Sequence, residues 1–131
     1  MAQTEGARLK ILVVDDDPEV RKVAGANLEA DGHVVLTAAS AQDAIQRLDA
    51  HPDISLLFTD IVLPGSMDGF DLAELAKRRR PGLQVIYMSG YLRNEGVWEG
   101  TLLTKPWTID DLRAAIATVF AAGGPLGSST Q

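Results

Sequence analysis

Short apolar runs alternate along the chain with segments in which apolar residues recur at helical spacing. Leu9 to Val14 is such a run, and it leads into three aspartates, as is typical of a strand buried on both faces of a parallel sheet. Asp17 suits a helix N-cap and Pro18 the first helical position, where a missing N–H costs nothing. The helix that they predict ends at Asp31-Gly32. Its apolar positions are Val20, Val23, Ala24 and Leu28.

The same alternation continues to the end of the chain. Further strands are predicted at residues 33–38, 54–59, 83–88 and 101–103. Helices are predicted at residues 40–50, from the turn-rich stretch 63–69 to about Arg80, and from Thr108 onward. Ser40 is the expected cap of its helix, with Asp43 completing a capping-box-like pair. Strands that alternate with helices predict a parallel sheet covered on both faces, with right-handed crossovers.

Length and composition limit the organisation to one domain. The chain has 131 residues, of which 46% are hydrophobic, enough for one sizeable core. We expect an N-terminal extension at 1–8, a single domain at 9–121 and a disordered tail at 122–131. The absence of cysteine excludes disulfides and thiolate metal sites, so any metal must bind through oxygen or imidazole.

Charge and hydropathy indicate where the protein works. A net charge of -6 argues against nucleic-acid binding, which depends on clustered Lys and Arg. The one basic run, Lys77 to Arg80, is interpreted as a solvated helix end that complements the helix dipole. The sequence shows neither an apolar stretch of signal-peptide type nor a membrane-spanning run. We therefore expect a cytoplasmic protein without a membrane or nucleic-acid partner.

Polar residues suited to phosphoryl chemistry stand at the carboxyl ends of the predicted strands. Open parallel sheets bind ligands at that edge. Carboxylates suit a hard cation or a nucleophile, a hydroxyl suits phosphoryl oxygens, and an ammonium balances phosphate charge. Each residue alone has an ordinary explanation as a helix start, a turn or a solvated loop. For Asp17 we keep the explanation as a helix start. Their joint occurrence indicates a site. The residues are Asp15, Asp16 and Asp17, then Asp60, Ser89 and Lys105.

These motifs resemble those of response-regulator receiver domains of two-component systems. The resemblance runs from about Leu9 to Phe120 and implies a flavodoxin-like (βα)5 fold, a doubly wound parallel five-stranded sheet of strand order 2-1-3-4-5. The Ser89-Gly90-Tyr91 run and an extra residue within 64–69 resemble receivers attached to hybrid sensor kinases. The motifs are the segment 11–17, Asp60 with Pro64 and Gly69, Ser89-Gly90, and Lys105-Pro106.

The resemblance implies a function for each residue of the set. Asp60 is the expected phosphoacceptor. The phosphoryl group is expected to come from a phosphohistidine of a sensor histidine kinase or a histidine phosphotransfer protein. Mg²⁺, with Mn²⁺ as an alternative, is expected on Asp15, Asp16, Asp60 and the carbonyl of Val62. Ser89 and Lys105 are expected to contact the phosphoryl oxygens.

The resemblance also implies that the protein is not a conventional enzyme but a receiver that promotes its own phosphorylation and dephosphorylation. It is expected to signal by conformational change, as a monomer or weak dimer, and its downstream target is not identified by the sequence. A cis peptide bond is expected between Lys105 and Pro106.

Two departures from the family pattern affect the expected switch. Lys105 follows Ser89 by only 16 residues, and the stretch Leu92 to Gly100 is a poor helix former with two glycines, so the helix between the fourth and fifth strands is predicted to be short or irregular. Leu102 stands where the family often has an aromatic residue that reports phosphorylation. We expect residues 91–100 to be the mobile, partner-facing element instead.

Other functions are weighed against this one. A pseudo-receiver would keep the fold without phosphorylation, but the acidic, hydroxyl and lysine set is complete. A haloacid dehalogenase-type hydrolase needs an aspartate where this chain has Val62. A flavodoxin-like nucleotide binder needs a phosphate-cradling loop after the first strand. The remaining aromatic and histidine residues are expected to have packing or structural roles: Tyr91, Trp98, Trp107, His33 and His51.

Overall fold

The computed structural model describes residues 8–90 and 101–123. Five parallel strands form one sheet in the order β2-β1-β3-β4-β5, and four helices lie in the described residues. The strands are Lys10–Val14 (β1), Val34–Ala38 (β2), Leu56–Asp60 (β3), Gln84–Ser89 (β4) and Thr101–Thr104 (β5). The helices are Pro18–Ala30 (α1), Ala41–Ala50 (α2), Gly69–Arg79 (α3) and Ile109–Gly123 (α4). The flavodoxin-like fold and its strand order are confirmed.

The sheet is buried on both faces because apolar residues fill the middle of its central strands, at residues 11–14 of β1, 56–58 of β3 and 85–88 of β4. Side chains of a strand point alternately to its two faces, so Leu12 and Val14 pack on one side and Ile11 and Val13 on the other. The first side is covered by α2 and α3, and the second by α1 and α4. After Lys10, the first residue of β1, no polar side chain occurs until Asp15, which stands just past the strand at the carboxyl edge of the sheet.

Side-chain caps fix the helix starts at or near that edge. Asp17 accepts a hydrogen bond from the N–H of Glu19, and Ser40 accepts one from the N–H of Asp43, the hydroxyl half of the predicted pair. Complete capping boxes, in which each side chain accepts a hydrogen bond from the main-chain N–H of the other residue, form at two other helices. They join Asp68 to Asp71 at the start of α3, and Thr108 to Asp111 at the start of α4.

Some predicted boundaries shift in the structure. Asp60 and Ser89 are the last residues of their strands rather than the residues that follow them. Helix α4 extends to Gly123, into the tail predicted from 122, because Ala121 and Ala122 favour a continued helix. The predictions for residues 91–100, including Tyr91 and Trp98, lie outside the described residues, as does the tail beyond 123. None of the helices at 8–90 and 101–123 is long and apolar enough to cross a bilayer.

The basic run at the end of α3 is only partly a solvated helix end. Lys77, Arg78 and Arg79 are exposed in the last turn, as predicted. The Arg80 guanidinium instead extends toward the end of α2 and donates hydrogen bonds to three main-chain carbonyls. These carbonyls lie at and after the end of α2, where helical partners are missing. They belong to Leu48, His51 and Ile54.

Candidate functional site

The strand order brings the predicted polar residues to one edge of the sheet. β1 lies beside β3, with Val14 paired to Thr59, so that Asp15 and Asp60 emerge side by side. β4 pairs with β5 up to Ser89 and Thr104, and the next residue, Lys105, donates its main-chain N–H to the Ser89 carbonyl at 2.8 Å. Four chemically active side chains therefore stand at the ends of adjacent strands.

Lys105 joins the two central carboxylates. Its Nζ lies 2.7 Å from Asp15 Oδ2 and 3.0 Å from Asp60 Oδ2. Asp15 is 1% exposed and Asp60 7%, so both charges would be costly to hold without a partner. The ammonium offsets part of this negative charge.

Burial and charge shift the protonation of this group. Burial raises the pKa of Asp60 above its ordinary value of 3.8, and the Asp15 charge adds to the rise, while the hydrogen bond from Lys105 opposes it. Burial lowers the pKa of Lys105, but its hydrogen bonds to Asp15 and Asp60 outweigh this effect and raise the pKa above 10.5. Lys105 is therefore held as a cation in the site.

Asp15 is fixed by main-chain and side-chain contacts besides Lys105. The N–H of Asp17 donates to Asp15 Oδ1 at 2.9 Å, and the Arg21 guanidinium donates to the Asp15 carbonyl at 2.8 Å. The role of Arg21 was not predicted, because its partner is a main-chain atom that no sequence motif marks. Together these contacts anchor the first turn of α1 to the end of β1.

Asp15, Asp16 and Asp60 form a group able to hold a divalent cation. One oxygen from each carboxylate lies within 4.8 Å of the others. Mg²⁺ prefers such hard oxygen ligands and keeps several waters, which suits a site where Asp16 is exposed to solvent. The residues therefore fit the expected metal. Asp17 is instead a helix cap, as predicted.

Val62 follows Asp60 in the loop from β3 to α3. Its N–H donates to Asp60 Oδ1 at 3.3 Å, and its side chain is 65% exposed. The loop therefore touches the Asp60 carboxylate through its main chain. The metal-ligand role of the Val62 carbonyl stays a prediction.

An apolar groove opens beside Lys105, between α1 and the segment that follows β5. Its volume is about 410 Å³. Val23, one of the apolar positions at helical spacing in α1, is 50% exposed at this groove, because helical spacing does not specify how far the buried face of α1 extends. Trp107 packs edge-on against Phe58, in agreement with its predicted packing role, and the Lys105–Pro106 peptide bond is cis, as predicted. The groove is lined by Glu19, Val20, Val23, Lys105, Pro106 and Trp107.

The two histidines lie away from this edge. His33 Nδ1 accepts a hydrogen bond from the N–H of Leu9 at 3.1 Å, and His51 Nδ1 lies 3.3 Å from Lys10 Nζ. These contacts agree with the structural roles expected for the two histidines.

Leu102, in the position that is often aromatic in the family, packs partly buried against the core on the α2 and α3 side.

Comparison with known sequences identifies relatives of this chain. Residues 11–117 match the family model described as "Response regulator receiver domain". The response regulator receiver protein CpdR of Brucella abortus (strain 2308) is 32% identical over 119 residues, which are 86% of this chain and 98% of CpdR. The nitrogen assimilation regulatory protein NtrX of Azorhizobium caulinodans is 37% identical over 82 residues, which are 62% of this chain but 18% of NtrX.

Solved structures show the same architecture. A response regulator receiver protein from Sinorhizobium medicae WSM419 superposes with a TM-score of 0.79, at 28% identity, over 88% of this chain and 96% of that one. The response regulator TrrA of Thermotoga maritima, in complex with Mg(2+)-BeF, has a TM-score of 0.76 over 85% of this chain and 98% of its own, but at 22% identity it supports the fold alone. With the family match over 11–117 and the strand order described above, the chain belongs to the response regulator receiver domain family of two-component systems.

Proposed function

We propose that this chain is the phosphoacceptor of a phosphorelay and that Asp60 receives the phosphoryl group. The donor is a phosphohistidine of a sensor histidine kinase or a histidine phosphotransfer protein, and the reaction requires Mg²⁺, with Mn²⁺ as a substitute. One observation carries the proposal: Asp60 lies within an acidic group able to hold a cation and is also bonded to the Lys105 ammonium. Such a site balances the charge of an incoming phosphoryl group.

The residues have distinct roles in the proposed transfer. A carboxylate oxygen of Asp60 attacks phosphorus, the P–N bond to the donor imidazole breaks, and its electron pair returns to the ring. The product is an acyl phosphate on Asp60. Lys105 and Ser89 contact the phosphoryl oxygens, and Asp15, Asp16 and the Val62 carbonyl hold the metal with Asp60. Bound Mg²⁺ supplies positive charge that offsets repulsion between the phosphoryl group and the carboxylates.

Hydrolysis of the acyl phosphate, which returns the protein to its unphosphorylated state, uses the same residues. Water attacks the phosphorus of the acyl phosphate, the Asp60 carboxylate leaves, and inorganic phosphate is released. The protein thereby promotes its own dephosphorylation as well as its phosphorylation. Signalling follows from a conformational change between the two states.

The apolar groove beside Lys105 is the surface that we assign to the donor protein. Its wall includes Lys105, whose ammonium contacts Asp60, so the groove adjoins the place that a phosphohistidine must reach. Val23 and Trp107 offer apolar area, and Glu19 and Lys105 offer charges of both signs. A small-molecule donor needs no contact there.

Mass spectrometry after incubation with acetyl phosphate and Mg²⁺ tests the proposal. Wild type should gain one labile phosphoryl group on Asp60, and Asp60→Asn should gain none while keeping its fold. Asp68→Asn is the matched control, because asparagine also caps a helix and Asp68 is exposed in the adjoining loop. Labelling of Asp60→Asn at the wild-type rate would exclude Asp60 as acceptor. A wild type that labels neither with acetyl phosphate nor from a phosphorylated histidine protein would identify a pseudo-receiver.

A further inference from the structure

The first residue of α3 lies against the main chain of Asp60. Gly69 is buried, and a Cβ built on it would lie 2.2 Å from the Asp60 carbonyl oxygen and 2.8 Å from the Ile61 Cα. Both neighbours are main-chain atoms, which cannot rotate away as a side chain can. At Gly25, in α1, the nearest atom would be a valine methyl carbon at 3.8 Å, an ordinary contact. Residue 69 must therefore be glycine for α3 to sit where it does.

Hydrogen bonds hold this close approach. The Gly69 N–H donates to the Ile61 carbonyl at 2.7 Å and closes the base of the loop from β3 to α3. The reciprocal pair of Asp68 and Asp71 fixes the first turn of the same helix. The start of α3 is thus seated directly on the end of β3.

We propose that Gly69 is a positioning residue for the Asp60 carboxylate. The Asp60 side chain meets Lys105 Nζ at 3.0 Å and the Val62 N–H at 3.3 Å, and both contacts depend on where the Asp60 main chain lies. A methyl group at residue 69 displaces either the end of β3 or the start of α3. The carboxylate then loses its placement relative to Asp15 and Asp16.

The test compares Gly69→Ala with two glycine controls. Gly82→Ala adds a methyl group in open space. Gly32→Ala strains a remote turn whose φ is +96°, and so lowers stability without approaching Asp60. For each protein we would measure Mg²⁺ affinity by calorimetry, the labelling rate at saturating acetyl phosphate, the midpoint of urea unfolding, and the metal-free amide NMR shifts of Asp60 and Val62.

Gly69→Ala should bind Mg²⁺ about tenfold more weakly and label about tenfold more slowly, as expected when a residue that orients a ligand is disturbed. Its Asp60 and Val62 amide shifts should move without metal. Gly32→Ala should keep the wild-type Mg²⁺ affinity and labelling rate even if its unfolding midpoint falls as far as that of Gly69→Ala. This comparison separates an effect on the position of Asp60 from an effect on stability. Wild-type affinity, rate and amide shifts in Gly69→Ala would overturn the inference.

The labelling measurement rests on the proposed function, whereas the metal-free amide shifts do not. A wild type that neither labels nor binds Mg²⁺ would refute the proposed function, and the amide shifts of Gly69→Ala would still decide the role of Gly69. If Gly69→Ala does not fold, Asp71→Ala loosens the same helix start without adding a methyl group. Its Mg²⁺ affinity should fall about threefold while that of Asp43→Ala, at the start of α2, stays at the wild-type value. Equal affinities in the two variants would contradict the inference.

Discussion

The ammonium of Lys105 lies between two buried carboxylates, 2.7 Å from Asp15 Oδ2 and 3.0 Å from Asp60 Oδ2. These two carboxylates also belong to the group that fits a divalent cation. Lys105 and a bound metal therefore balance the same negative charge. Within residues 8–90 and 101–123, Lys105 is the cation that contacts both groups.

Lys105→Met should destabilise the metal-free protein by about 1–3 kcal/mol, because two buried carboxylates lose their cationic partner. Saturating Mg²⁺ should recover much of this loss, since ligand binding stabilises the folded state and the metal supplies the missing charge. Urea unfolding with and without Mg²⁺ measures both effects. Lys22→Met, an exposed change on α1, is the control. An equal loss in both conditions would contradict the shared role.

Asp16→Ala should weaken Mg²⁺ binding about tenfold and change the free energy of unfolding by less than about 0.5 kcal/mol. Asp16 contributes an oxygen to the metal group yet is exposed, so its removal leaves no buried defect. Calorimetric titration measures the affinity. Asp17→Asn keeps the helix cap and lies outside the metal group, and it should bind as wild type does. Indistinguishable affinities for the two variants would remove Asp16 from the site.

Val23→Glu should slow phosphotransfer from a phosphorylated histidine protein about tenfold, because a buried charge in the groove opposes docking. Labelling by acetyl phosphate should be unchanged, since that donor does not cover the groove. Val34→Glu, at another exposed valine, is the control for added charge. Quench-flow transfer assays with both donors separate the cases. If labelling by acetyl phosphate slowed equally, the defect would lie in the phosphoacceptor site at Asp60 and not in docking.

His33 should make stability depend on pH. Burial lowers the pKa of His33 below 6.5, with Asp31 opposing, and its Nδ1 accepts a hydrogen bond from the Leu9 N–H. A lowered folded-state pKa means that the stabilising contribution is present above about pH 6.5 and is lost as the pH falls through the folded-state value. Urea unfolding at a series of pH values should show this decline in wild type and a flatter profile in His33→Gln. An unchanged slope in the variant would assign the decline to other groups.

Arg80→Met should cost about 2–3 kcal/mol of stability, because three main-chain carbonyls lose a charged donor. Arg78→Met should cost less than about 0.5 kcal/mol, since Arg78 is exposed and its ion pair is with Glu74, one turn away on the surface of α3. Chemical denaturation of the two variants measures the difference. Similar small losses would mean that Arg80 is as dispensable as its neighbours.

The sequence predicts those features that are local or that follow from parallel pairing. Apolar runs and caps give the order of the elements, and pairing of β1 with β3 then places Asp15 beside Asp60. Features set by distances between remote elements were not predicted. The exposure of Val23 depends on how α1 lies on the sheet, and the reach of Arg80 depends on the gap between α2 and α3. The closeness of Gly69 to Asp60 has a local sequence signal, a glycine after a capping residue, but only coordinates give its distance.

The contacts of Asp15 make it unlike its neighbour Asp16. Its side chain and carbonyl connect three segments, through the Asp17 N–H, the Arg21 guanidinium and the Lys105 ammonium. Asp16 is exposed and offers one oxygen to the metal group. Adjacent identical residues are therefore under different constraints. A descendant of this chain that abandons phosphotransfer can exchange Asp16 freely, whereas exchange of Asp15 removes the carboxylate that Lys105 and the Asp17 N–H contact and so requires a compensating change at Lys105.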